Sequence, residues 1–248
     1  MQQAEWFLDD VPAESPLFAD LNPTQREAVA ATEGPVLVVA GAGSGKTRVL
    51  TYRIAHLIRD LRVPPPSILA ITFTNKAADE MKERVGRLVG GVVNSMWVST
   101  FHSACVRILR REATRLGYKS GFTIYDEADS LRLIRLVLGE LDMDTKRFPP
   151  KQIKAAISKA KNELVDFESF SDAGEGFYHE QVADVYRVYQ QRLLQASAMD
   201  FDDLLMITVE LFGAFPDVLA QYQERFRYVL VDEYQDTNRA QYMLVNQL

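Results

Sequence analysis

A single cysteine, Cys105, in 248 residues leaves nothing for an intramolecular disulfide and fits a chain kept in a reducing cytoplasm. The three histidines, His56, His102 and His179, are too scattered to join that cysteine in a zinc site. No apolar run approaches the roughly 20 residues that a membrane-spanning helix needs. The first twenty residues are acidic and broken by Pro12 and Pro16, without the basic-then-apolar order of a secretory signal, so they read as a loose leader. Internal repeats and low-complexity tracts are also missing. A formal net charge of −6 argues against a protein that coats nucleic acid by bulk attraction. What remains is an ordinary globular composition, 47% hydrophobic and 25% charged, long enough for one large or two small domains.

The most informative stretch is Ala40-Gly41-Ala42-Gly43-Ser44-Gly45-Lys46-Thr47. It follows the apolar run Pro35 to Val39 and leads into Arg48-Val49-Leu50-Thr51-Tyr52, which has helical character. Strand, glycine-rich turn, Lys-Thr and helix is the layout of a nucleotide phosphate cradle. Glycines let consecutive N–H groups turn inward around an anion, and the helix N-terminus adds its positive dipole end. Lys46 is placed to reach the β- and γ-phosphates, and the Thr47 hydroxyl to hold Mg²⁺. Ala40 stands where the usual pattern has its leading glycine. Arg48 has two open readings, an ion pair with an acid or a place near the nucleotide.

Hydrophobic periodicity sketches the rest. Asn22, Pro23 and Gln25 mark a helix start with a capping box, and that helix is expected to end near Gly34. Val36 to Ala40 reads as a first strand, followed by a helix from about Lys46 to Asp60. A second strand is expected over Ile68 to Thr72, with Asn75 capping a helix to about Val89. A third strand over Met96 to Ser99 leads to a helix from about Phe101 to Leu116. From Gly117 to about Ala198 helical periodicity dominates, with only Phe122 to Tyr125 as a short extended piece. Helices over Phe201 to Phe212 and from Pro216 then precede a strand at Tyr228 to Val231. The fold class is α/β, a parallel sheet flanked by helices and interrupted by a mostly helical insertion.

Tyr228-Val229-Leu230-Val231-Asp232-Glu233 is an apolar strand ending in two carboxylates. In a parallel sheet such a strand delivers its last residues to the edge that carries the phosphate loop. Asp232 can hold Mg²⁺ and Glu233 can orient and deprotonate an attacking water. A second local feature is a basic window: Lys146, Arg147, Lys151, Lys154, Lys159 and Lys161, with no acid among them. Charges act over about 8 Å at physiological salt, so a local basic surface can attract DNA despite the global sign. A solvated helix face explains the same window equally well.

These blocks resemble superfamily 1A DNA helicases of the UvrD/PcrA/Rep group. Leu21 to Val29 looks like the Q motif, Ala40 to Thr47 motif I, Ile71 to Ala78 motif Ia and Ser99 to Ser103 motif Ib. Asp200 to Leu204 resembles the next block, and Asp232 to Thr237 motif II. The resemblance implies a RecA-like ATP-binding domain 1A over 21–116 and 199–248, after a leader over 1–20, with a helical subdomain 1B over 117–198. It implies ATP and Mg²⁺ as cofactors and makes Gln25 a hydrogen-bond partner of adenine. Phe73 offers a face for a stacked base, and Thr74, Asn75, Thr100 and His102 contact single-stranded DNA. Gln235 couples nucleotide state to the DNA track beside the catalytic Lys46, Asp232 and Glu233. Lys151 and Lys154, with the turn Arg115 to Gly121, are expected at the duplex side of a single-strand/double-strand junction.

The implied activity is that of a 3′→5′ ATP-dependent translocase in DNA repair or replication restart, in the cytoplasm at the nucleoid, with repair or replication proteins as partners. The family's later motifs do not occur in this sequence. These 248 residues alone are therefore expected to hydrolyse ATP very slowly. The helicase part of a RecB- or AddA-type helicase–nuclease is one alternative, and a non-enzymatic ATP-dependent DNA-binding or partner-docking module is another. A signalling GTPase is disfavoured, because no Asn-Lys-x-Asp run follows the phosphate loop.

Overall fold

The structure, a computed structural model, describes residues 15–41 and 43–248. In chain order its elements begin with α1 (Pro23–Ala30), α2 (Lys46–Arg59), β1 (Ile68–Thr72), α3 (Asn75–Val89), β2 (Trp97–Thr100) and α4 (Phe101–Glu112). Then come β3 (Thr123–Tyr125), α5 (Glu127–Glu140), α6 (Pro150–Asn162), α7 (Phe167–Asp172) and α8 (Phe177–Gln195). The last are β4 (Ala198–Asp200), α9 (Phe201–Ala214), α10 (Pro216–Arg225), β5 (Tyr228–Val231) and α11 (Arg239–Gln247).

Packing divides the chain into two units, one running to Ser99 and including Phe226–Asp232, the other comprising Thr100–Arg225 and Glu233–Leu248. In the first unit the sheet order is β2–β1–β5, and β1 runs parallel to β5 with Ile68 opposite Tyr228 and Ile71 opposite Val231. All five residues of β1 are buried. Alternation sends Ile68 and Ala70 to the face that packs, with Leu230, against Ile54 and Leu57 of α2 and Met81 and Val85 of α3. Each fully buried isoleucine or leucine there contributes about 1.5–3 kcal/mol. Residues 15–20, read as the end of a leader, include a 3₁₀ turn at Pro16–Phe18 whose Leu17 is buried. Ser15 and His56 both bond the Asp60 carboxylate and hold that turn down.

In the second unit α5, α6 and α8 enclose a core built on Ile134, Val137, Ile153, Ile157, Val185, Tyr186 and Tyr189. The extended piece at Thr123–Tyr125 pairs in parallel with β4, a strand that periodicity does not reveal because it is three residues long. Helices α4, α9 and α11, expected with the sheet, pack in this unit; α9 touches α4, α6 and α11. Helix starts follow local chemistry: α5, α9 and α11 open with reciprocal capping boxes at Asp126/Asp129, Asp200/Asp203 and Asn238/Gln241.

Three expectations are corrected. Val36 to Ala40 forms no strand: Val36, Leu37, Val38 and Val39 are 42%, 73%, 40% and 87% exposed and carry no ladder bonds. An apolar run becomes a strand only where a neighbouring edge takes its hydrogen bonds, and among the described residues β5 pairs only with β1. The first helix stops at Ala30 rather than near Gly34. The cap of α3 is Thr74, not Asn75: Thr74 has the extended backbone of a cap (φ −127°, ψ 149°) and its hydroxyl accepts from the Ala77 N–H.

Candidate nucleotide site

The phosphate loop is shaped by two glycines in the left-handed region, Gly43 (φ +76°) and Gly45 (φ +91°), which other residues enter only with strain. Ser44 closes the turn, its N–H and hydroxyl both reaching the Gly41 carbonyl, at 3.3 and 2.7 Å. Gly45 caps α2, so Lys46 and Thr47 stand in the first turn with the helix N-terminus behind them. Lys46 Nζ donates to the Ala40 carbonyl at 3.3 Å, a long bond that an anion displaces readily. Thr47 is half-buried. Ala42 lies outside the described residues.

Gln25 does two things at once. It completes the capping box with Asn22, and its Nε2 donates 3.0 Å to the Ser44 carbonyl, joining α1 to the loop. A Cβ on Gly45 would stand 2.8 Å from that nitrogen, a contact that a shift of the flexible glutamine end relieves, so it is the φ of +91° that calls for glycine. Arg48 is exposed, with its guanidinium 5.3 Å from the centre of the Tyr52 ring on its own helix.

Asp232 belongs to the same unit as the loop, and its N–H extends the β1–β5 ladder by donating to the Ile71 carbonyl at 2.9 Å. It stands at the C-terminal end of its strand, where α/β sheets place ligand-binding groups. Positive-φ glycines, a lysine at a helix N-terminus and a strand-end carboxylate suit a magnesium–triphosphate. Among the described residues no group of three or more His, Cys, Asp or Glu could hold a metal, so such an ion would need the phosphates as ligands. Glu233 adopts a left-handed backbone (φ +52°) and its carboxylate accepts from the Gln235 amide.

The residues expected along DNA differ in availability. Phe73 is half-buried, while Thr74 and Asn75 are exposed at the start of α3. Thr100 is buried, its hydroxyl donating to the Ser103 hydroxyl and accepting the Ser103 N–H as the cap of α4. His102 meets the Phe201 ring edge-on at 5.7 Å, and burial keeps its pKa below the usual value although Asp202 opposes the shift. Arg115 is engaged by Asp217 at 2.8 Å.

In the basic window Lys151 and Lys159 are exposed and Lys154 is half-buried, but Lys161 turns inward. Its Nζ lies 2.8 Å from Asp200 and 2.7 Å from Asp203, fully buried, and the Tyr189 hydroxyl donates to Asp200 at 2.9 Å. The Asp200 to Leu204 block thus acts as a cap and ion-pair anchor for α9. The Asp-x-x-Asp spacing was a legible capping signal, whereas its lysine partner was not.

Burial and the Asp200 charge push Asp203 up to about 7, while Lys161 outweighs burial to hold Asp200 low. The folded state therefore holds the Asp203 proton more tightly than the unfolded chain, whose aspartates titrate near pH ~3.9. Stability from this group is complete in acid and is lost as pH rises from ~4 through ~7. Asp203→Asn cannot titrate, so wild-type stability relative to the variant should fall across that window and level off above it. Urea melts at a series of pH values read this, and a flat difference would refute it.

A parallel sheet flanked by helices, with a glycine-rich loop leading into a helix N-terminus, defines an α/β protein of the phosphate-loop class. The family model described as UvrD/REP helicase N-terminal domain matches residues 21–248, and the chain belongs to that family. It is 56% identical over 232 residues to the ATP-dependent DNA helicase PcrA of Bacillus subtilis (strain 168), covering 94% of this chain and 31% of that protein. PcrA of Leuconostoc citreum is 52% identical over 229 residues, covering 92% of this chain and 31% of the relative. PcrA of Staphylococcus aureus (strain NCTC 8325 / PS 47) is 52% identical over 232 residues, covering 94% and 32%. The chain thus spans about a third of the length of these curated relatives. Among the described residues no helix is long and apolar enough to cross a membrane.

Proposed function

We propose that this chain is the nucleotide-binding part of an ATP-driven DNA translocase that unwinds duplex ahead of a single-strand track. One observation carries the reading. Gly43 and Gly45 deliver Lys46 and Thr47 to the N-terminus of α2, and Asp232 ends a strand parallel to β1 within the same unit. The main-chain amides from Gly41 to Gly45 and the Lys46 ammonium would bind the triphosphate. Thr47 and Asp232 would hold its Mg²⁺, which neutralises charge on the phosphates when bound. Glu233, next in the chain, would orient and deprotonate water once Gln235 yields its carboxylate. Gln25 would read adenine. As a functional division, 21–116 with 199–248 form the nucleotide domain and 117–198 the insertion.

Phe73 would stack a base, a contact worth roughly 1–3 kcal/mol per base and indifferent to sequence. Thr74 and Asn75 would contact single-stranded DNA beside it, and His102 would be a further contact to single-stranded DNA. Thr100 would contribute mainly by fixing the start of α4, since its hydroxyl is engaged there. Lys151, Lys154 and Lys159 would meet phosphates on the duplex side of a junction without reading sequence. Movement 3′→5′, work in repair or replication restart, and a place at the nucleoid follow from the family alone.

The test is Glu233→Gln, made in the longest natural protein that contains this chain. Affinity for a fluorescent ATP analogue should stay within about threefold, while DNA-stimulated turnover should drop by about 10²–10⁴, the usual share of a general base. Undiminished turnover would overturn the assignment.

A further inference from the structure

Helix α6 carries the exposed lysines of the basic window and ends at Asn162. That asparagine is a junction. Its Nδ2 donates to the Ser158 carbonyl at 2.7 Å and to the Asp202 carboxylate at 2.9 Å. Its Oδ1 accepts from the Nδ2 of Asn238. Asn238 in turn caps α11, its own Oδ1 accepting the Gln241 N–H at 2.9 Å. Each end of both amides is therefore engaged, and neither side chain can turn without breaking a bond. Three elements meet at the pair: the end of α6, the start of α9, and the segment just past Asp232 and Glu233. The Asp202 side also neighbours the ring contact of His102 with Phe201.

The segment before Asn238 begins at a strained residue. Glu233 sits in the left-handed backbone region, a strained place for a glutamate, and its carboxylate is occupied by Gln235. A 3₁₀ turn over Tyr234–Asp236 and the Thr237 hydroxyl on the Tyr234 carbonyl (2.8 Å) connect it to Asn238. If Glu233 exchanges Gln235 for water, the change is passed along a short, hydrogen-bonded path.

We propose that Asn162 is a positioning residue, tying the Glu233–Thr237 segment through Asn238 to α6 and Asp202, so that nucleotide and DNA alter one another's affinity. This rests on the ATP-and-DNA reading above. Such coupling is reciprocal, and between ligand sites it typically amounts to about 5- to 150-fold.

The experiment uses the 248-residue chain, a fluorescent oligothymidylate, and a non-hydrolysable ATP analogue with Mg²⁺. The readout is the ratio of DNA Kd without and with nucleotide. Wild type should show a ratio of about 5 or more in either direction. Asn162→Ala should bring it close to 1. Asn238→Ser is the second variant: it keeps the helix cap and removes only the donor to Asn162, so α11 stays capped and the ratio should still collapse. A ratio that survives in both variants, whatever their melting temperatures, overturns the proposal and leaves the function standing. Wild type that binds both ligands with a ratio of 1 does the same. A wild-type chain that binds neither ligand refutes the functional reading and the proposal with it.

Discussion

Lys161→Met should lower the unfolding free energy by about 3–5 kcal/mol, the usual loss when one partner of a buried ion pair is removed. The ammonium is fully buried and bridges Asp200 and Asp203 at 2.8 and 2.7 Å. Methionine fills similar volume, so the loss is electrostatic and not a cavity. Two carboxylates would be left in a low-dielectric interior, with the Tyr189 hydroxyl, the Gln190 amide and the cap N–H groups as their remaining donors among the described residues. Because burial already pushes Asp203 up to about 7, acid relieves the variant by supplying its proton, and the deficit should shrink as pH falls towards 5. Lys159→Met, on the exposed side of the same helix, should stay within about 0.5 kcal/mol. Urea unfolding of the pair separates the two cases. A Lys161→Met deficit below about 1 kcal/mol would mean that the carboxylates find other partners.

The second large effect concerns nucleotide. Lys46→Ala should weaken ATP–Mg²⁺ binding roughly 10- to 100-fold, from the loss of charge-assisted hydrogen bonds worth about 1.5–3 kcal/mol. Stability should hardly change, since among the described residues Lys46 donates only to the Ala40 carbonyl, at 3.3 Å. Arg48→Ala is the control. Its guanidinium lies 5.3 Å from the centre of the Tyr52 ring on its own helix, so affinity should move by less than about threefold. Titration of a fluorescent ATP analogue measures both. Equal losses would show that overall positive charge, and not the placed lysine, attracts the nucleotide.

Features determined by a few adjacent residues were legible from sequence. The Asn22–Gln25 capping box, the start of α2 at Lys46 and the limits of β1 and β5 all depend on neighbours within one turn or one strand. Features determined by distant partners were not. Val36 to Ala40 has the composition of a buried strand, but composition cannot supply a pairing edge. Lys161 counts as one more positive charge in its window, and only the fold reveals that Asp200 and Asp203 claim it. The Asn75 cap failed by a single position, because Thr and Asn are both good caps and backbone geometry decides between them. In the candidate site the glycine turn at Gly43 and Gly45 and the helix start at Lys46 follow from local sequence. The second role of Gln25, reaching the Ser44 carbonyl, became visible only when α1 and the loop were placed together.

The uncovered valines and leucine ahead of the phosphate loop bear on colloidal behaviour. Four consecutive branched apolar side chains without an interrupting charge form a sticky segment, and β5 presents an unpaired sheet edge among the described residues. The net charge of −6 keeps copies apart at low ionic strength, but added salt screens that repulsion while leaving the apolar contact intact. The concentrated chain should therefore stay dispersed best in dilute buffer, with light scattering rising as salt is added.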